Sequence, residues 1–344
     1  VAVTQAPRRP PALRRGDVVG LVSPSGPLAA RCPRRLDRAV RALGDAGFEV
    51  RLGRSLAADT GDRAGSARER ADDLMDLVAD DRVRAVFATV GGSGADELIP
   101  YLDAEVFRGH PTLLVGYSDF TSVLLWAHER AGTQACYGPA ALPQFGEPDG
   151  IDRYGLAALR QVLSAPLPAG PLPSSDTVVV EYREWDRDDD RARTRLAAGA
   201  RRILTPGQAE GPLLAANLSC LADTVRRGGR VPRCEGRIVL LEESDTADRD
   251  RLLRNLRTLG GTGLVEQAAG IGFGRFAQTC NGLWDHAELL ATLARWTAAA
   301  PGPVVADLEF GHTDPVLTLP LGVRTRLTAR DEVELRLLEA AVTP

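Results

Sequence analysis

Apolar runs and helical spacings alternate along the first half of the chain. Val18–Ser23 (VVGLVS) is a short β-branched run that stops at Pro24-Ser25-Gly26, which predicts a strand and a turn. Leu36, Ala39, Val40 and Leu43 recur at helical spacing and predict a helix from about Pro33 to Ala46. Phe48–Leu52 reads as a second strand. Ala67–Ala79 reads as a helix with Leu74, Met75, Leu77 and Val78 on or near its buried side. Val83–Val90 is a third strand running into Gly91-Gly92-Ser93-Gly94, and Thr112–Val115 a fourth running into Gly116-Tyr117-Ser118-Asp119. Val123–Ala131 is then helical. Strands alternating with helices pair in parallel through right-handed crossovers, so this half is expected to be a doubly wound α/β layer of flavodoxin or Rossmann type.

From about Pro139 to Pro212 the pattern changes. Pro and Gly cluster at 142–150 and 165–173, and a strand-like Val178–Tyr182 leads into the acidic-basic stretch Glu184–Thr194, a solvated excursion. Periodic structure resumes near Gly211. It predicts a helix at Leu218–Arg226, a strand at Arg237–Leu241, a helix at Asp248–Leu259 and a strand at Ala269–Phe273. Helix Ala287–Ala298, strand Val304–Asp307 and strand-like segments around Val316–Leu327 close the chain. The expected plan is a lead-in over 1–15, an N-terminal domain over 16–165, a connector with a loop over 166–210 and a smaller C-terminal α/β domain over 211–344. A length of 344 residues fits two domains of ~150 residues each.

Composition narrows the chemistry. The 42 basic residues are all Arg, against 46 acidic ones, for a net charge of −4. That balance argues against a nucleic-acid partner. With no Lys, a Schiff-base or P-loop lysine is excluded. Cys32, Cys136, Cys220, Cys234 and Cys280 form no C-x-x-C pair, and their odd number and wide spacing predict reduced thiols. Among His110, His128, His286 and His312 there is no H-E-x-x-H, and no metal site is expected. No run approaches the ~20 apolar residues of a membrane span, and no secretory pattern follows the opening Arg pairs, so a cytoplasmic protein is expected.

In a doubly wound sheet, ligands sit beyond the carboxyl ends of the strands. At one such end, Gly91-Gly92-Ser93-Gly94 lets backbone N–H groups approach a ligand, although it equally suits a tight packing turn and lacks dinucleotide-type spacing. At another, Ser118 sits where a strand turns into a helix, as in a nucleophile elbow; the alternative is that Ser118 or Asp119 caps the helix. A serine nucleophile needs a base and an orienting acid. His312, among turn residues after a strand, is the base candidate. Glu242 ends an apolar run and needs a partner if buried, whereas Glu243 points to the other side of a continuing strand.

These blocks, in this order, resemble the serine LD-carboxypeptidases, peptidase family S66, a family that includes the microcin C immunity peptidases. The resemblance runs from Gly16-Asp17 and Ser23-Pro24-Ser25 through Gly91-Gly92-x-Gly94, Gly116-Tyr117-Ser118-Asp119, Gly138-Pro139, Asn217-Leu218-Ser219, Leu241-Glu242-Glu243 and Gly311-His312-Thr313-Asp314-Pro315 to Pro320-Leu321-Gly322. It implies two α/β domains with the active site in the cleft between them, usually in a homodimer. It also implies Ser118 as nucleophile, Glu242 as orienting acid and His312 as base, with no cofactor. The oxyanion donors would be the N–H groups of Gly92 and Asp119. Gly91, Ser93, Asn217, Trp185 and Tyr182 would meet the substrate. The Gly-His-Thr-Asp-Pro loop and Trp185 look more like the microcin immunity branch, where an aromatic stacks on a nucleotide base; a half-buried loop anchor is the other reading of Trp185. The implied substrate is a peptidyl- or aminoacyl-nucleotide, with murein tetrapeptides the alternative and a silent binding module the reading from another class. Ser93 stands where the family often has an aromatic, and Ala215-Ala216 precede Asn217 where Gly-Gly is usual. Both changes bear on the substrate more than on the reaction.

Overall fold

The computed structural model describes residues 8–181, 183–280 and 282–344, the side chains of Gln278 and Cys280 excepted. It separates into two compact units. The first takes the described residues of Val1–Leu167, Tyr182–Arg193 and Ala341–Pro344; the second takes Pro168–Glu181 and Thr194–Ala340.

The first unit holds β1 (Val18–Val22), β2 (Glu49–Leu52), β3 (Val83–Ala88), β4 (Leu113–Gly116) and β5 (Ala135–Tyr137). Their order is β5-β4-β3-β1-β2, and every neighbouring pair is parallel. β4 is buried along its whole length and β1 over all but its first residue, as strands covered on both faces must be. The order reverses between β1 and β3, the topological switch point at which ligands bind in this kind of sheet. Helix Ala67–Ala79 begins at Ser66 with a capping box: Ser66 Oγ accepts from the Glu69 N–H, and the Glu69 carboxylate accepts from the Ser66 N–H. Helix Arg153–Leu163, which buries Leu159, Val162 and Leu163, lies in a stretch where the sequence pattern marked no element.

The second unit runs β6 (Gly170–Leu172), β7 (Thr177–Val178), β8 (Leu196–Ala197), β9 (Arg202–Thr205), β10 (Gly207–Asn217), β11 (Ile238–Glu242), β12 (Gly270–Gly274), β13 (Val304–Leu308), β14 (Leu319–Pro320), β15 (Arg324–Ala329) and β16 (Val333–Leu337). Eight of these form one mixed sheet, β6-β16-β15-β10-β11-β12-β13-β9. Its centre, β10 to β13, is parallel; β15, β16 and β6 on one side and β9 on the other are antiparallel. The fold is thus two α/β units, each built on a sheet with a parallel centre. No described helix is long and apolar enough to cross a membrane.

Candidate active site

In the first unit, the turns after β1, β3 and β4 carry the candidate chemistry. Ser118 has φ 61°, a left-handed backbone at a non-glycine residue. Such a conformation costs roughly 1–2 kcal/mol and persists only where its surroundings enforce it. Here the Ser118 N–H donates to the Tyr137 hydroxyl at 3.1 Å, and the Ser118 carbonyl accepts from Thr121 Oγ1 at 2.5 Å. Neither Ser118 nor Asp119 caps the helix that follows. Asp119 instead reaches back: one carboxylate oxygen accepts from Ser25 Oγ at 2.6 Å and from the Ala95 N–H at 2.7 Å. Burial pushes its carboxyl above the usual range, against the pull of those two donors.

The glycine turn is shaped around Ser118. A Cβ at Gly91 would lie 2.7 Å from both Cβ and Oγ of Ser118, so only glycine fits there. Gly92 has φ 134° and faces the backbone of Gly26. Ser93 is exposed and accepts from Arg63 Nη1 at 2.9 Å. Beneath the turn, the fully buried Arg70 donates to the carbonyls of Gly94 and Pro24 and pairs with Glu97 at 2.7 Å. Arg70 was not among the candidates read from the sequence. Its partners are 24 to 46 residues away along the chain, beyond any local pattern.

Trp185 is half-buried, with the Arg35 guanidinium 4.1 Å from its ring centroid. Arg35 is itself buried, bonded to the Leu142 carbonyl at 2.8 Å and to Asp189 at 2.6 Å, and paired with Glu147. This cation–π contact with a desolvated guanidinium fixes one side of the indole. Tyr182 lies outside the described residues.

In the second unit, Glu242 is the last residue of β11 and fully buried. Its Oε2 accepts from His312 Nδ1 at 2.6 Å, and its Oε1 accepts from Asn217 Nδ2 at 2.8 Å. Asn217 ends β10 and caps helix Leu218–Arg226, its Oδ1 accepting from the Cys220 N–H at 3.0 Å. Parallel pairing sets Asn217 directly beside Glu242. Gly311, with φ 99°, passes so close to Glu242 that a Cβ there would collide with the carboxylate. Glu243 turns elsewhere: it accepts from Ser219 Oγ and Asn255 Nδ2, each at 2.7 Å, and from the Ser244 N–H at 2.8 Å. Burial raises its carboxyl. The carboxylate facing the imidazole is therefore Glu242.

Burial alone would lower the pKa of the His312 ring, but the charge of Glu242 and its hydrogen bond outweigh this and push it up to about 9. Of the other imidazoles, His110 meets Asp81 and His286 meets Asp307. No group of His, Cys, Asp and Glu suited to a metal ion occurs among the described residues.

The family models for the LD-carboxypeptidase N-terminal and C-terminal domains match residues 19–138 and 210–327. The chain belongs to peptidase family S66. It is accordingly a hydrolase of the serine peptidase kind. The chain is 27% identical to the probable murein peptide carboxypeptidase of Bacillus subtilis, over 97% of this chain and 95% of that one. It is 26% identical to the microcin C7 self-immunity protein MccF of Escherichia coli, over 90% of each. The solved structure of MccF in complex with glutamyl sulfamoyl guanosine shares the fold, with a TM-score of 0.87 at 23% identity over 98% of this chain and all of that one.

The ring and Glu242 also set a pH dependence in this S66 chain. The folded value, about 9, lies above the ordinary 6.5. The pair therefore contributes its full stability below pH 6.5 and loses it as the pH rises through about 9. The difference in Tm between the wild type and Glu242→Gln should shrink over that window; a constant difference would show that the ring carries no extra charge in the folded chain.

Proposed function

We propose that this S66 hydrolase cleaves an amide or acyl bond with Ser118 as nucleophile, His312 as general base and Glu242 as the acid that orients the ring. The observation that carries this reading is the 2.6 Å bond from His312 Nδ1 to Glu242 Oε2, which commits Nδ1 as a donor and leaves Nε2 as the nitrogen that accepts a proton. Nε2 takes the proton of Ser118 Oγ as that oxygen attacks the carbonyl carbon. It then gives the proton to the leaving group, and water, with His312 again as base, hydrolyses the acyl-enzyme. The N–H groups of Gly92 and Asp119 stabilise the tetrahedral oxyanion, each donor contributing about 3–4 kcal/mol to lowering the barrier. Asn217 serves by holding Glu242. No cofactor takes part, and the homodimer that the resemblance implies belongs to the same reading.

For the substrate we favour an aminoacyl-nucleotide of the microcin C type. The supporting observation is Trp185, a half-buried indole braced by Arg35. An aromatic so held is a ready platform for a nucleobase, where stacking contributes ~1–3 kcal/mol. Gly91 and Ser93 would border the bound molecule. The second reading, release of terminal D-Ala from a murein tetrapeptide, rests on the likeness to the Bacillus subtilis protein. The two are separated by comparing kcat/KM for an aminoacyl-sulfamoyl-adenosine and for a muropeptide ending in D-Ala. The nucleotide should be the better substrate, and Trp185→Ala should raise its KM about tenfold or more. Faster turnover of the muropeptide, with no effect of Trp185→Ala, would reverse the assignment.

A further inference from the structure

The carboxyl ends of β12 and β13 border a cavity of about 320 Å³. Arg202, Arg275, His286 and Asp307 line it, and it shares no residue with the proposed catalytic set. It lies at the strand ends where α/β sheets hold ligands.

Its charges are out of balance. Arg275 follows β12 and is only 7% exposed. Its Nη2 donates to the carbonyls of Gly199 at 3.0 Å and Asp307 at 3.1 Å, and among the described residues it has no carboxylate partner. Arg202, at the start of β9, makes no side-chain hydrogen bond or ion pair among the described residues. Its neighbour Arg201 is by contrast bound to Glu309 at 2.6 Å. The one carboxylate lining the cavity among the described residues, Asp307, is 4% exposed and already engaged by His286 Nε2 at 3.0 Å. Asp307, the last residue but one of β13, also has a left-handed φ of 62°, and its carbonyl is one of the two that hold Arg275. A strained residue bracing a buried cation at a cavity is the kind of feature that marks functional sites. A nearly buried guanidinium without an anion is costly, and its forked N–H groups match the two oxygens of a carboxylate or phosphate.

We propose that this cavity binds a small oxyanion, the carboxylate or phosphate group of a ligand, with Arg275 and Arg202 as the cationic groups that hold it. The His286–Asp307 pair completes the lining. The site stands apart from the hydrolytic reading, so a Ser118→Ala chain should bind as the wild type does.

Calorimetric titration of the whole chain with inorganic phosphate and with acetate, in buffer balanced with chloride, tests this. One of the two probes should bind saturably at one site, and which one does names the source of the oxyanion. Arg202→Ala and Arg275→Met should each weaken that binding about tenfold or more. Arg202 is exposed and, among the described residues, unpaired, so its variant keeps the fold and decides the matter even if Arg275→Met does not fold. Absence of saturable binding for both probes, or binding that Arg202→Ala leaves unchanged, would overturn the proposal.

Discussion

Ser118→Ala is expected to lower kcat on the order of 10⁶-fold while leaving the chain folded. The size follows from removing the only atom that can attack: His312 and the backbone donors remain, yet no acyl-enzyme forms. The fold survives because alanine keeps the same Cβ in the same left-handed backbone, and the bonds that enforce φ 61° run through the main chain, to the Tyr137 hydroxyl and from Thr121. A companion variant sharpens the result. Ser118→Gly should be equally inactive but more stable than Ser118→Ala by roughly 1–2 kcal/mol, because glycine adopts positive φ without strain. Turnover near the wild-type rate in either variant, measured with Tm on the same preparations, would remove Ser118 from the mechanism. Equal stability of the two would show that the backbone at 118 stores no strain.

How much of this was visible in the sequence depends on the range over which each feature is determined. Parallel strands buried on both faces leave continuous apolar text, so Val18–Val22, Val83–Ala88 and Ile238–Glu242 are legible. Helices with one apolar stripe are as clear, and Leu218–Arg226 occupies the residues its periodicity marks. The longest strand, Gly207–Asn217, is not legible. Its first half pairs antiparallel with β15 and is part exposed, its second half pairs parallel with β11 and is buried, and Gly207, Gly211 and Pro212 interrupt any pattern. A backbone that changes neighbours halfway has no single period. The helix at Arg153–Leu163 was hidden by the Pro- and Gly-rich text on both sides. In the candidate site, single residues were readable where chemistry is scarce: a chain with four His and one Gly-Tyr-Ser-Asp turn offers few choices. Apolar patterning alone does not separate Glu242 from Glu243; the resemblance named Glu242. Both are almost wholly buried, and only their partners differ, Asn217 and His312 for one, Ser219 and Asn255 for the other. Arg70 and Arg35 were invisible for the same reason, since a buried cation is defined by partners brought from far along the chain.

Glu242→Gln should cost about 10⁴-fold in kcat although it alters one atom, the loss seen when the acid of such a triad becomes an amide. The loss begins at Asn217. Its Oδ1 is committed to the Cys220 N–H, so its Nδ2 must face residue 242. A glutamine there satisfies that donor only by turning its own oxygen toward Asn217. Its amide nitrogen then faces His312 Nδ1, which carries a proton toward the carboxylate in the wild type. Two donors cannot share that contact. The ring must move its proton to Nε2, the nitrogen that has to accept one from Ser118, and the base is lost. The same substitution removes the negative charge that raises the ring, so its pKa should fall from about 9 toward the ordinary 6.5. In the wild type, activity requires the neutral ring, and kcat/KM should climb with pH up to about 9. In Glu242→Gln the residual rate should level off at lower pH. Both readouts come from one set of pH–rate profiles. A variant that kept its rate within tenfold would show that Glu242 does not fix the tautomer, and one that kept the wild-type profile at a lower rate would show that it does not charge the ring.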